Sequence, residues 1–130
     1  LTGNAATNAA TNYIGTTDTQ DLRIRTNNTN RWNISNTNNG QLQSYSLGTA
    51  PLPTYSWQTD PNTGMFSSAA DNLNFSTNGV QRVNIGNTGN VGINIAPSAY
   101  KLDVDSGTGD AVYGHSTNVG GFLVEKPISV

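Results

Sequence analysis

His115 is the one histidine of the chain, and it stands between Gly114 and Ser116 in a stretch that reads as loop. Nucleophilic catalysis needs a base oriented by a carboxylate beside an activated hydroxyl, and no Gly-x-Ser-x-Gly elbow occurs. His115 therefore reads as a polar loop residue. Asp103, Asp105 and Asp110 offer oxygen atoms to a hard cation, which wants several carboxylates and carbonyls around one point. Their spacing misses the helix–loop–helix calcium motif and lacks its closing Glu, so they read as solvated turn carboxylates. Gly86, Gly89 and Gly92 recur at every third position. A phosphate-binding loop would follow such glycines with Lys-Ser/Thr or set them between strand and helix, and neither context is present. Asn27, Asn33 and Asn74 stand in Asn-x-Ser/Thr sequons, which a chain this rich in Asn and Thr forms by chance. Asp60 and Asp71 are the only acids in the middle of the chain, whereas cleaving a polysaccharide takes a pair of carboxylates in a groove. The expectation is a protein that is not an enzyme, with no catalytic residue, no metal ligand and no cofactor.

Aromatic residues leave one binding possibility. Trp32, Tyr45, Tyr55, Trp57, Tyr113 and Phe122 have faces that stack on sugar rings. Tyr55 and Trp57 lie two residues apart in a proline-rich stretch and share one face of an extended segment. They are the candidate ligand-binding pair; the bland alternative is that they fill the packing between modules.

The elements that must carry these residues are set by an unusual composition. Charged residues are 11% of the 130, whereas 19 asparagines, 17 threonines and 14 glycines crowd the chain. Leu, Ile, Val and Phe together number 26, close to the level at which a chain fails to bury enough apolar surface. Disorder also needs high net charge, and here it is −2. An ordered chain with a thin core is expected, one that neighbouring chains or repeats must complete. There is no cysteine, so disulfides and thiolate metal sites are excluded. The six basic residues form no run, which argues against nucleic acid and an anionic membrane surface. No apolar stretch approaches a membrane span, so no insertion is expected. A start at Leu1, with no basic or apolar leader, suggests a piece cut from something longer.

Internal similarity organises the rest. Shifted by 51 residues, Asp21–Asn27 falls on Asn72–Asn78, and Arg31–Ile34 falls on Arg82–Ile85. Asn36–Gly40 then falls on Asn87–Val91. The unit reads as an alternating strand, a Thr-Asn turn, an alternating strand opened by Arg, an Asn/Gly turn and a short strand. Apolar residues recur at every second position, the period that gives a strand two unlike faces. Leu22, Ile24, Trp32, Ile34, Leu73, Phe75, Val83, Ile85, Val91, Ile93, Leu102 and Val104 are the expected core. Trp32 takes the place of Val83 in the repeat, which assigns it to that core. Asn27-Asn28, Asn38-Asn39-Gly40, Asn78-Gly79 and Thr88-Gly89-Asn90 supply residues that tolerate the positive φ of tight turns. No window has a helical period.

With those residues in place the sequence resembles the shaft modules of phage tail fibres, which also occur in large secreted bacterial proteins. The resemblance rests on Pro53-Thr54-Tyr55-Ser56-Trp57, Asp60–Phe66 and Asp71–Gly79, followed by Arg82–Ile85, Gly89–Ile93, Ala96-Pro97-Ser98 and Lys101–Val104. Asn12–Thr16 and Ala111–His115 resemble the secreted versions, and the match runs over about residues 12–121. Asn94-Ile95 departs from the Gly-Thr of the family, and Leu123–Val130 departs further. The resemblance implies elongated homotrimers.

The chain is therefore expected to be all-β: an elongated fibrous repeat of short strands and Asn/Gly turns, forming an intertwined homotrimeric β-prism or β-helix-like shaft. Its expected divisions are a connecting segment 1–11, a first β-repeat 12–47, a Pro/aromatic insertion 48–62, a second β-repeat 63–104 and the start of a further Gly-rich module 105–130. The expected function is a structural shaft segment of a trimeric tail fibre that supports attachment to a host or surface; a secreted bacterial adhesin or filament subunit is the alternative. Expected partners are further copies of the chain, neighbouring fibre or baseplate proteins, and a cell-surface glycan gripped through a tip outside this chain. The expected location is a virion tail, the extracellular space or a cell surface.

Overall fold

The structure, a computed structural model, describes residues 7–11, 13–109 and 111–112. Among these the chain is all-β, with nine strands in two open antiparallel-rich sheets and no helix. Two compact units divide between Leu47 and Gly48.

The first unit holds a three-stranded antiparallel sheet of β1 (Leu22–Thr26), β2 (Thr29–Ile34) and β3 (Leu42–Ser44). Asn27 and Asn28 join β1 to β2 with φ of 47° and 55°, the two positive values that a primed hairpin turn requires. The register then slips by one residue between Ile24 and Arg25, so Arg31 is an extra residue on β2. Its Nε donates to Thr26 Oγ1 at 2.8 Å.

The second unit repeats this hairpin in β6 (Leu73–Thr77) and β7 (Val80–Ile85), around Asn78 and Gly79 with φ of 51° and 71°. A slip follows between Phe75 and Ser76, and Arg82 Nε donates to Thr77 Oγ1 at 3.1 Å. The two hairpins thus share turn, bulge and arginine clamp at the 51-residue offset. In neither does Arg open the strand, contrary to the reading above. Each arginine sits two positions inside, as the bulge residue.

The third strand breaks the offset. Ile34 pairs with Leu42, whereas Ile85 pairs with Val91 in β8 (Val91–Ile93). The turn before β3 is two residues longer, so Gly40 lies in that turn and is not the counterpart of Val91. Residues 48–62 are also no insertion between sheets. They supply β4 (Tyr55–Trp57) and the start of β5 (Asp60–Phe66); β4 pairs with β5 and β5 with β6, which extends the second sheet. The boundary drawn at residue 63 falls inside β5. Beyond β8 the chain crosses over to β9 (Leu102–Val104), which lies parallel to β8 and completes the order β4-β5-β6-β7-β8-β9. Ile95 lies in this crossover. No strand occurs among the described residues of 1–11 or 105–130, and the remainder of both segments lies outside the description.

Alternation gives each sheet an apolar and a polar face, but the buried face is the polar one. Asn33, Asn74, Ser76, Asn84 and Asn90 are buried, with Asn74 fully inaccessible, and Phe66 is the one buried large apolar side chain among the described residues. None of the twelve expected core residues is buried within this chain. Leu22, Trp32, Val83, Ile85, Val91 and Val104 are half-buried, and Ile24, Ile34, Leu73, Phe75, Ile93 and Leu102 are exposed. The reason lies in the loops. Ser68, after β5, accepts a hydrogen bond from Asn74 Nδ2 at 3.0 Å, and Asn90 Nδ2 donates to Ser98 O at 2.7 Å. These segments lie on the sheet face whose residues are small or amidic, because only there can backbone approach backbone.

Candidate functional site

Pairing aligns the apolar residues of the second sheet in two rows. Tyr55, Met65, Phe75, Val83, Ile93 and Val104 are successive cross-strand partners on all six strands. Leu73, Ile85, Val91 and Leu102 form a parallel row beside them. Strands lie about 4.8 Å apart, so six of them carry these rows over roughly 24 Å. The first sheet has the same arrangement in miniature, with Leu22, Ile34 and Leu42 in one row and Ile24 opposite Trp32 in the next. All of these side chains are exposed or half-buried.

Tyr55 and Trp57 are brought together as expected for alternate residues of one strand. Their rings meet edge to face, with centroids 6.4 Å apart and planes at 81°, and each residue is 57% exposed. Together with Met65 and Phe75 they line a depression of about 400 Å³. The pair is therefore one end of the apolar face rather than a separate pocket. Sugar recognition needs convergent polar groups to fix hydroxyl orientation, as well as a stacking plane. The lining gives the plane and very little polar surface. This geometry fits contact with another apolar surface.

The remaining candidates do not converge. Asp103 is half-buried across from Gly92, and Asp105 Oδ1 accepts the Gly107 N–H at 2.8 Å in the following turn. Among the described residues no three His, Cys, Asp or Glu side chains come together. Gly89 is a turn residue with φ of 74°. Asp110, Tyr113, His115 and Phe122 lie outside the described residues.

One carboxylate has a role that sequence reading missed. Asp21 Oδ1 accepts the Asn36 backbone N–H at 2.7 Å, and Oδ2 accepts from Asn33 Nδ2 at 3.1 Å. The Asn36 N–H, then the Asn33 amide, then the charge of Arg23 hold this carboxyl below its usual 3.8. A pKa lowered by folding adds stability above the unfolded value, and that stability disappears as pH falls through the folded one. We expect the Asp21 carboxyl carbon, followed by NMR, to titrate below 3.8 and to move back toward it in Asn33→Ala. Asn72 stands at the matching place of the second copy, so the clamp has no ionised counterpart there.

Comparison of the chain with protein-family models, curated proteins and solved structures gives no match.

Proposed function

We propose that this chain is a structural shaft segment of a phage-type tail fibre, built from intertwined copies whose apolar sheet faces cover one another. The observation that carries the reading is the inverted burial: amides inside, apolar rows outside. A single chain has little to gain from this arrangement. The Oδ1 atoms of Asn33, Asn74 and Asn84 are buried and accept no hydrogen bond, and each such atom costs about 1–3 kcal/mol. The compensating apolar burial has to come from elsewhere. Ten apolar side chains in two rows make a patch on the order of several hundred Å², at the upper end of what a monomer leaves uncovered.

The repeat favours a second copy as the covering surface. The same apolar face occurs in both sheets, so its partner must present apolar surface more than once along its own sequence. Another copy of this chain does so, and a closed rotational assembly lets every copy give and receive the same contact. Three copies is the number implied by the tail-fibre resemblance. The low charge and short turns suit a passive rod, with neighbouring fibre or baseplate proteins at its ends. Attachment to a glycan would fall to a tip outside this segment, and the expected place is a virion tail or the extracellular surface.

Light scattering on the purified chain tests this. We expect a solution mass three times 13.7 kDa with a high axial ratio. A compact particle of 13.7 kDa at every concentration would overturn the proposal.

A further inference from the structure

The sequence contains two Asn-Gly pairs, Asn39-Gly40 and Asn78-Gly79. In such a pair the glycine backbone nitrogen can reach the preceding side-chain amide, because no Cβ obstructs the approach. Both asparagines are exposed, and both pairs have positive φ throughout, 52° and 70° against 51° and 71°. By sequence and local backbone the two are near twins.

The fold separates them at the attacking atom. Gly79 N–H donates to Asn62 O at 2.9 Å. Pro51 Cα lies 3.6 Å from the place a Gly79 Cβ would occupy, with Asn62 Cβ at 4.0 Å. Gly40 N–H donates to no acceptor among the described residues, although its neighbours Asn39 and Gln41 do donate, to Thr37 O at 3.0 Å and Asn38 O at 3.2 Å. Nothing lies within 4 Å of the Gly40 Cβ position. Among the described residues one nitrogen is engaged in a hydrogen bond and the other is not.

We propose that Asn39 is a site of spontaneous deamidation in the folded chain and that the fold protects Asn78 from the same reaction. The Gly40 nitrogen loses its proton to base and bonds to Asn39 Cγ, and the side-chain amide nitrogen leaves as ammonia. Water then opens the succinimide at either carbonyl, giving aspartate or isoaspartate at position 39. No oxidant or reductant takes part. The product adds one negative charge to a chain of net charge −2. It does so in the Ser35–Gln41 turn, which closes on Ser35 N–H to Gln41 O at 3.0 Å. This inference is independent of the assembly proposed above.

Ageing the intact protein in warm, mildly alkaline buffer tests it, with mass mapping after cleavage at aromatic residues. Tyr45 and Phe75 place the two asparagines in different peptides. Breaking one net hydrogen bond before attack slows Asn78 by up to about tenfold. We therefore expect Asn39 to convert about tenfold faster in native buffer and the two rates to converge in denaturing urea. Equal rates in the folded protein, faster loss at Asn78, or a gap that persists in urea would each overturn the assignment.

Discussion

Phe75→Asp is expected to convert the proposed assembly into single chains. Phe75 lies in the middle of the longer apolar row, between Met65 and Val83. At 41% exposure in one chain, it lets a carboxylate there reach water as long as no partner arrives. Once a second copy covers the face, the same carboxylate is buried without a counter-charge, which costs about 3–5 kcal/mol at each occurrence. Every 1.4 kcal/mol is about a factor of ten in affinity, so roughly two to three and a half orders of magnitude are lost per contact. Light scattering should report the monomer mass under conditions where the unmodified chain is larger. Asn87→Asp places the same charge on the exposed turn between β7 and β8 and should leave the mass unchanged. If Phe75→Asp keeps the full assembled mass, this face is not the contact. Circular dichroism distinguishes the outcomes for the chain itself: a folded monomer keeps its strand signal, whereas its loss shows that folding and assembly are coupled.

The second large effect is expected from Gly64→Ala. Gly64 is a buried β5 residue on the polar face, and a Cβ there would overlap Tyr55 O and press on Pro53 Cγ. The obstacle is a backbone carbonyl, which no side-chain rotation can move. Overpacking of this kind costs about 1–3 kcal/mol when neighbours can shift, and the upper end applies here. For a unit of this size each kcal/mol lowers the melting temperature by about 4–8 °C. Gly92→Ala should behave similarly, since its Cβ would run into Ile95 O of the crossover to β9. Gly86→Ala is the control. Its Cβ would meet Pro97 Cγ at an ordinary 3.5 Å and its φ is not positive, so its melting temperature should barely change. Equal shifts for Gly64 and Gly86 would show that the Tyr55 backbone does not lie against Gly64 in this way.

These glycines mark where sequence reading stopped. Gly64 and Gly92 look like any others in a glycine-rich chain, because the atoms that forbid a side chain there come from Tyr55 and Ile95, carried in by pairing and by the crossover. Asp21 is a similar case: its clamp on Asn33 and Asn36 spans 12 and 15 residues. The apolar rows were half legible. Alternation identified which side chains share a face with Phe75 or Ile24. It said nothing about which face the loops would cover.

What the sequence determined by itself was everything fixed by short-range geometry. A period of two makes strands, and paired Asn or Asn-Gly makes the positive-φ hairpins at 27–28 and 78–79. The 51-residue offset carries turn, bulge and arginine clamp together, because all three depend on a few consecutive residues. Tertiary structure decided the rest: β4 and β5 as part of the second sheet, the longer turn before β3, the parallel β9, and the polar face as the inner one. Each of these depends on where one segment comes to rest on another. Small amides and glycines let backbone lie directly on the sheet, and bulky apolar rows do not, so the loops settled on the polar side and left the apolar side open.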